Sequence, residues 1–366
     1  MSKRVELQSS NGATAFNIHA AIGRLSPGYF ALVMATGIVS IGLHDVGVYE
    51  LSATLLWITV VCYAVLWGLF IWRAIAFPHH VRSDLRNPKV AFAYFTIVAG
   101  TDVLGVRLVQ EGAIGTATVL FTVGAALWFI GGYLLPWQVL VTRDRGRILA
   151  RANGTWFIWA VASQSLAVGM GHLQPHVDGA ARIWVGMLAV LSWSVGVALY
   201  AAIAIIVLLR IIHYGITPQK FDPPYWVAMG ALAIAVVAGS GIVDMHSTPM
   251  VDATLELIAG TVVVFWSFCV WFIPMLLGAG VWRHIAHRVP LRYVPALWSM
   301  VFPMGMFAVA SIAMDRADKL PVVEMIGHVA LVIAAGVWLV VFTGMLIRIA
   351  KTLWASSQGS RATLVG

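Results

Sequence analysis

The chain has 366 residues, of which 60% are hydrophobic and 10% are charged, and its formal net charge at pH 7 is +8. A water-soluble domain uses roughly 25% charged residues to cover its surface. The composition therefore excludes a soluble enzyme or binding module, and it predicts an all-α polytopic membrane protein whose helices face lipid or one another.

Ten apolar stretches are long enough to cross the ~30 Å hydrocarbon core as helices, which takes about 20 residues each. In chain order they cover residues 27–44, 51–76, 89–109, 114–140, 153–172, 182–210, 224–243, 253–282, 293–314 and 324–350. The sequence predicts an N-terminal segment over 1–26, a ten-helix transmembrane domain over 27–350 and a C-terminal tail over 351–366. Residues 1–26 show no short apolar core with a small-residue cleavage site, so no signal peptide is expected.

The basic residues indicate the orientation in the membrane. With the N-terminus inside and ten crossings, 19 of the 23 Lys and Arg residues and 4 of the 15 Asp and Glu residues lie on one side, which gives +15 there and −7 on the other side. Cytoplasmic loops carry the excess of Lys and Arg. Both termini are therefore predicted to be cytoplasmic, in a multi-pass protein of the cell membrane. The same rule accounts for the net charge, so no nucleic-acid partner is expected.

The ten stretches alternate in character. The odd-numbered ones are rich in small residues, as in "FTIVAGTDVLG" and "ALAIAVVAGSG", whereas the even-numbered ones are bulky, as in "LLWITVVCYAVLWGLFIW". Small residues let helices approach closely, while bulky aliphatic residues and tryptophans suit lipid contact. This alternation predicts five consecutive helical hairpins around a central pore, with the odd helices inside.

The odd stretches also begin alike, which favours an internal repeat. A proline opens four of them, at Ser26-Pro27, Asn87-Pro88, Asp222-Pro223 and Val294-Pro295, and Asn153-Gly154 opens the fifth. A capping side chain before a proline is a favoured helix start. Five helix N-termini, each with a partial positive charge, are thus expected at the cytoplasmic mouth.

Ionisable residues within the stretches are few. Asp102 lies in the outer half of the third helix, and Arg107 can pair with a neighbouring acid near the outer boundary. A further group, at the outer ends of odd helices, comprises His44, Asp45, His172, Asp244 and Asp315. These are either interfacial residues at helix ends or the lining of an outer vestibule.

Motifs for catalysis or cofactors are missing. Paired histidines at matching depth for haem, an Asp-rich magnesium motif and Walker, Rossmann or HExxH motifs do not occur in the sequence. Cys62 and Cys269 lack metal-ligand spacing and are interpreted as packing residues. No catalytic residue, metal site or cofactor is expected, and an enzyme is the least favoured class.

Three segments resemble signatures of the tellurite-resistance/dicarboxylate transporter family. They are "SPGYFALVMATGIVSIG" in the first helix, "FTIVAGTDVLG" in the third and "WSMVFPMGMFAVA" in the ninth, and the resemblance extends from about residue 25 to 350. The family includes the bacterial TehA proteins, fungal malic acid permeases and the slow anion channels of plant guard cells. It implies ten helices in five hairpins, a homotrimer with one pore per protomer, and passage of monovalent anions or organic dicarboxylates without a cofactor.

The resemblance also implies a gate. The family's gating phenylalanine falls on Phe302, within "VFP" where the family usually has "TFP". Phe302 lies about 9 residues into its helix, or ~14 Å along it, close to the middle of a ~30 Å core. The same depth in the other odd helices predicts that small residues line the pore, together with the proline beside Phe302: Thr36, Gly37, Ala99, Gly100, Ala162, Ser163, Ala233 and Pro303. The alternative is that Phe302 only packs in a proline-kinked helix.

Two functions therefore remain open. One is an anion channel or channel-like exporter with a phenylalanine gate, whose partners are small inorganic or organic anions. The other is a proton- or ion-coupled carrier for malate-like four-carbon dicarboxylates. The channel is favoured because no carboxylate at mid-depth is expected to be available to carry a coupling proton.

The charge split predicts the accessibility of single cysteines introduced into a chain without Cys62 and Cys269. Labels at Ser83, Gly146 and Ser357 should require permeabilised cells, whereas labels at Asp178 and Ser247 should not. Reaction with a membrane-impermeant maleimide measures this, and the opposite pattern at either group would contradict the ten-crossing topology.

Overall fold

A computed structural model describes residues 18–141, 148–318 and 321–364, and all regular structure in these ranges is helical. The α-helices in these ranges are α1 (Ile18–Gly23), α2 (Ala31–Asp45), α3 (Tyr49–Ala76), α4 (Pro78–Leu85), α5 (Phe95–Gln110), α6 (Ile114–Val141), α7 (Ile148–Arg151), α8 (Phe157–Leu173), α9 (Gly179–Tyr214), α10 (Val227–Val243), α11 (Pro249–Val281), α12 (Trp298–Asp318) and α13 (Pro321–Leu364). The predicted all-α fold is confirmed.

Ten of these helices correspond to the ten predicted stretches. In the described ranges, nine are long and apolar enough to span a membrane. The tenth is α8, which has 17 residues and carries Ser163, Gln164 and Ser165 in its middle. These polar residues lower its hydropathy, so the count of ten crossings stays a prediction.

Burial separates the long helices into two groups. Four of the nine spans, those containing α2, α5, α10 and α12, are 78–89% buried, whereas the other five are 17–28% buried. Helix α8 belongs with the first group, since most of its residues are buried. We call α2, α5, α8, α10 and α12 the central helices, and α3, α6, α9, α11 and α13 the peripheral helices.

The central helices form a closed ring. Each packs against the next in chain order, and α12 packs against α2. Each peripheral helix packs on the central helix that precedes it, which makes five antiparallel hairpins. Small residues permit the close approach: a Cβ at Gly230 of α10 would lie 2.8 Å from Cγ of Pro303 in α12. The alternation of small and bulky stretches thus predicts correctly which helices lie inside.

Five aromatic side chains join each hairpin to the next. Every peripheral helix carries one near the middle of its span, and each makes a hydrogen bond to the following central helix. These pairs are Tyr63–Thr101 (3.0 Å), Trp128–Ser163 (2.8 Å), Trp193–Ala235 (3.0 Å), Trp266–Ser311 (2.9 Å) and Trp338–Thr36 (3.0 Å). The Trp338 indole of the last hairpin donates to the first central helix, so this set of contacts closes on itself. We call these five pairs the aromatic clasps.

The central helices also share their N-terminal geometry. Each begins with a short 3₁₀ turn, at Pro27–Phe30, Ala91–Tyr94, Gly154–Trp156, Pro223–Trp226 and Pro295–Leu297. Ser26 and Asn153 cap their turns with side-chain oxygens. Asn87 does not cap the helix as expected. It lies four residues before the turn at Ala91–Tyr94, and its Oδ1 accepts the N–H of Lys89.

In the described ranges, helical structure is also present on both sides of residues 27–350. Residues 1–17 lie outside the described ranges, but α1 packs on the end of α3, where the Arg73 guanidinium donates to the Gly23 carbonyl (3.2 Å). Helix α13 runs to Leu364 without a break at residue 350. The labelling position Gly146 lies outside the described residues.

A glycine at the start of α8 provides a test of the ring. A Cβ at Gly154 would lie 2.2 Å from the Pro224 carbonyl oxygen, which is backbone and cannot rotate away. Gly154→Ala should therefore lower stability by about 1–3 kcal/mol, seen as a lower unfolding temperature of the purified protein by tryptophan fluorescence. Gly260→Ala is the matched control, because nothing lies within 4 Å of that position. Equal unfolding temperatures for the two variants would contradict the close packing at Gly154.

Candidate functional site

A cavity of about 320 Å³ lies on the axis of the central ring. All five central helices contribute to its wall. Its lining comprises Ile38, Ile41 and Asp45 of α2, Val103, Val106 and Val109 of α5, Ser165, Val168, Gly171 and His172 of α8, Pro175 and His176 just after α8, Ile234, Val237, Ser240 and Gly241 of α10, Asp244 just after α10, and Met306, Val309 and Ala313 of α12.

The lining residues follow helical spacing, so they form layers. The layer furthest from the helix C-termini consists of Ile38, Val103, Ser165, Ile234 and Met306, and the next layer consists of Ile41, Val106, Val168, Val237 and Val309. Both layers are apolar except for Ser165. This cavity is therefore a mostly apolar shaft that lies toward the C-terminal ends of the central helices.

The rim of the cavity holds the ionisable side chains. Asp45 Oδ1 accepts a hydrogen bond from Gln110 Nε2 (3.0 Å), and His172 Nδ1 lies 2.9 Å from the Val168 carbonyl oxygen. The interpretation of these residues as a vestibule lining is supported for Asp45, His172 and Asp244. His44 instead packs edge-on against Tyr49.

Phe302 lies on the helix face that continues the cavity wall inward. It is 1% exposed and one turn before Met306, and Val309 and Ala313 follow on the same face of α12. The opposite face of α12 contacts a peripheral helix, because Trp266 bonds to Ser311 and its ring stacks on Phe307 (centroids 6.3 Å apart). By helical spacing, Phe302 therefore lies one turn inward of the cavity residue Met306 on the same face of α12.

The backbone around Phe302 packs tightly on both neighbouring central helices. The Pro303 ring touches Gly230 of α10, and a Cβ at Gly305 would lie 2.8 Å from Cγ2 of Ile38 in α2. These contacts fix the rotation of α12 about its axis, and so they fix the direction of the Phe302 side chain.

The structure places the eight predicted lining residues in different environments. Thr36 and Ser163 accept hydrogen bonds from Trp338 and Trp128, so their hydroxyls point to peripheral helices. Gly37 packs against Val103, where an added Cβ would lie 2.6 Å from Cγ1.

The other predicted lining residues are also at or near the depth of Phe302. Ala99 and Ala162 each lie one turn inward of a cavity residue, at Val103 and Ser165, and both are fully buried. Ala233 is fully buried beside Ile234, and Gly100 lies against Val33 of α2. The structure therefore brings small residues of α5, α8 and α10 to the level of the Phe302 ring.

The sequence analysis did not predict which face of each central helix lines the cavity. Ser165, Ser240 and Met306 line the cavity and were not predicted. Their signal is helical spacing outward from the predicted positions: three residues from Ala162 to Ser165, four from Phe302 to Met306 and seven from Ala233 to Ser240. The prediction for Arg107 is confirmed: its guanidinium pairs with Glu111 (2.7 Å) and also donates to Ser40 and Ser52.

The opposite end of the molecule is basic. A second cavity, of about 810 Å³, is lined by His79, Arg82, Ser83, Arg86, Asn87, Lys89 and Arg151. Near the start of α10, Asp222 faces Arg283 (3.7 Å). Burial raises the pKa of the Asp222 carboxyl above its ordinary value, and the charge of Arg283 opposes that shift. This end can attract anions, as the predicted cytoplasmic mouth requires.

The described residues hold no group of three or more His, Cys, Asp or Glu side chains that could bind a metal ion. Cys62 is half-buried and Cys269 is buried, and neither forms a disulfide. The cavity chemistry consists of apolar side chains, two hydroxyls and an ionisable rim.

Comparisons with known proteins agree on one group. Residues 24–346 match the family model SLAC1, described as voltage-dependent anion channel. An uncharacterised membrane protein of Mycobacterium tuberculosis is 46% identical over 164 residues, which is 45% of this chain and 83% of that protein. An uncharacterised transporter of Methanocaldococcus jannaschii is 22% identical over 82% of this chain and 86% of its own. A sulfite efflux pump of Trichophyton rubrum is 21% identical over 88% of this chain and 90% of its own.

Proposed function

The chain belongs to the SLAC1 family of anion channels and transporters, and on that premise we propose that it is an anion channel or channel-like exporter gated by Phe302. The proposal is supported by the helical spacing that puts the buried Phe302 one turn inward of Met306, in the wall of a mostly apolar cavity to which all five central helices contribute. An apolar constriction keeps ions out by excluding water. The Phe302 ring would close the path in this way.

The proposed path runs along the axis of the central ring. It passes from the cavity, through the level of Phe302, to the basic end of the molecule. At the level of Phe302 we assign the lining to Ala99, Ala162 and Ala233, whereas Gly37, Gly100 and Pro303 pack at contacts between neighbouring helices. The Thr36 and Ser163 hydroxyls take part in aromatic clasps instead, so they do not contribute hydroxyl groups to the path.

The orientation and assembly are part of the proposal. The cavity would open to the outside, and the basic end and both termini would face the cytoplasm, in agreement with the distribution of Lys and Arg. A homotrimer with one pore per protomer is implied by the resemblance noted above. Many large apolar side chains on the peripheral helices are exposed, as lipid or subunit contact requires.

A coupled carrier is the second candidate. The channel was favoured because no carboxylate at mid-depth was expected to carry a coupling proton. The structure shows instead that Asp102 is fully buried and bonded to the cavity residue Ser165. A carrier for malate-like dicarboxylates would show saturable flux coupled to protons or sodium, whereas a channel would show unitary currents. Because one relative is named a sulfite efflux pump, sulfite should be compared with chloride, nitrate and malate.

The first prediction concerns selectivity. The cavity layers near Phe302 carry no fixed charge, and the opposite end is basic. We therefore expect anions to pass in preference to cations. In planar bilayers with a salt gradient, the reversal potential should lie near the equilibrium potential of the anion. A value near the cation potential would reject the proposed function.

The second prediction concerns the gate. Phe302→Ala should remove the apolar plug and raise the anion conductance by about tenfold or more, since each ~1.4 kcal/mol taken from a barrier gives that factor. Single-channel recording of the purified variant measures this. Size-exclusion chromatography should show that the variant assembles like the wild type.

Phe307→Ala provides the control. This side chain is also buried on α12, but it stacks on Trp266 on the opposite helix face. The variant should therefore show little gain in current, even if the lost packing lowers its stability. A correctly assembled Phe302→Ala protein that conducts no better than Phe307→Ala would show that Phe302 is not the gate.

A further inference from the structure

Asp102 occupies an unusual site behind the cavity wall. Its side chain is fully buried in α5 and lies between α6 and α8. A Cβ at Gly124 of α6 would lie 2.1 Å from Asp102 Oδ1, so the glycine makes room for the carboxyl group. Oδ2 lies 2.7 Å from Oγ of Ser165, whereas Oδ1 has no hydrogen-bond partner among the described residues.

The hydrogen bonds around Ser165 indicate where a proton lies. The Ser165 hydroxyl is within hydrogen-bond distance of two acceptors, Asp102 Oδ2 (2.7 Å) and the Ala162 carbonyl oxygen (3.0 Å). A hydroxyl has one proton to donate, so it cannot donate to both. If Asp102 carries a proton on Oδ2, it donates to Ser165 and Ser165 donates to Ala162. Both short contacts are then satisfied.

The surroundings of Asp102 supply no compensating charge. A titratable side chain near Asp102 is Tyr63 of α3, which is uncharged at neutral pH and whose hydroxyl is bonded to Thr101. The facing residue of α6 is a glycine, and that of α8 is a serine. Arg107 lies five residues further along α5 and is engaged by Ser40, Ser52 and Glu111. An ionised carboxylate here would be buried and unpaired, which membrane proteins rarely tolerate.

We propose that Asp102 is a proton-binding site on the wall of the cavity, reached through Ser165, and that anion passage requires the proton it holds. The second part rests on the proposed function, because it takes the cavity as part of the anion path. In the protonated state the wall is neutral at the deepest layer of the cavity, next to the level of Phe302. In the deprotonated state a negative charge lies one hydrogen bond from the path, and it repels anions.

The proton has a short route to the cavity. Asp102 Oδ2–H passes its proton to Ser165 Oγ, while the Ser165 hydroxyl proton passes to a hydroxide ion in the cavity, which becomes water. The carboxyl group becomes a carboxylate, and Ser165 keeps one proton throughout. Because Ser165 lines the cavity, solution on the cavity side sets the occupancy of the site.

The transport experiment uses the full-length purified protein in planar bilayers with nitrate on both sides. When the pH on the cavity side is raised from about 6 to about 9, where buried carboxyl groups without a counter-ion lose their protons, the wild-type current should fall. We expect a fall of at least about fivefold, because local charge changes ion concentration in a narrow path by such factors. Asp102→Asn, which resembles the protonated state, should keep its low-pH current across this range.

The rim histidines require a control, because they lose positive charge over part of the same pH range. A variant with both His172→Gln and His176→Gln should still show the fall in current at high pH. A pH response that disappears in this variant and persists in Asp102→Asn would assign it to the histidines and overturn the proposal. A flat wild-type response would do the same.

Infrared spectroscopy detects the proton on Asp102 independently of transport. The wild-type protein at neutral pH should show a protonated carboxyl stretch that is absent in Asp102→Asn. If Asp102→Asn does not assemble, Ser165→Ala should still shift the same band, because Asp102 loses its partner. Absence of the band in the wild type would overturn the proposal. If the wild type shows the band but conducts no anion, the proposed function fails while the proton site stands.

Discussion

Polar groups at the middle of a membrane must find partners inside the protein, because lipid supplies none. The aromatic clasps meet this requirement in a way that also determines the architecture. Each clasp joins a peripheral helix to the next central helix, and the Trp338–Thr36 contact joins the last hairpin to the first. In these contacts, polar groups of the central helices face the peripheral helices. Apolar side chains of the central helices face the axis, where the cavity lies.

Much of this fold could be predicted from the sequence, because membrane-spanning length and small-residue content are properties of each stretch by itself. The clasps could not be predicted. Tryptophans of even-numbered stretches were interpreted as lipid-facing, and Trp271 is indeed 75% exposed, but Trp266, on the same helix, turns inward to Ser311. Which of two tryptophans turns inward depends on where the neighbouring hairpin packs, and this information is not local.

In the candidate site, the depth of a residue in the membrane and the direction of its side chain have to be predicted separately. Depth follows from counting residues at 1.5 Å each from the helix start, so Phe302, Ala99 and Ala162 were all chosen at one level. The direction of a side chain around the helix axis changes by 100° per residue. An error of one residue in the helix start therefore changes the depth by only about 1.5 Å. The same error changes which face of the helix is assigned to the cavity. Thr36 and Ser163 were chosen by depth alone, and their hydroxyls point to Trp338 and Trp128.

The two hydroxyls that do reach the cavity therefore have a different significance from those in the clasps. Ser240 Oγ has no partner among the described residues, and Ser165 stands between the cavity and Asp102. Apart from the ionisable rim, the rest of the wall is apolar, so these two hydroxyls are the groups there that can interact with a partly dehydrated anion. Such a path offers an anion few ligands and attracts it weakly, so passage depends mainly on whether the path is wet and neutral. Phe302 would control the first condition and Asp102 the second, and the two act on adjoining levels of one shaft.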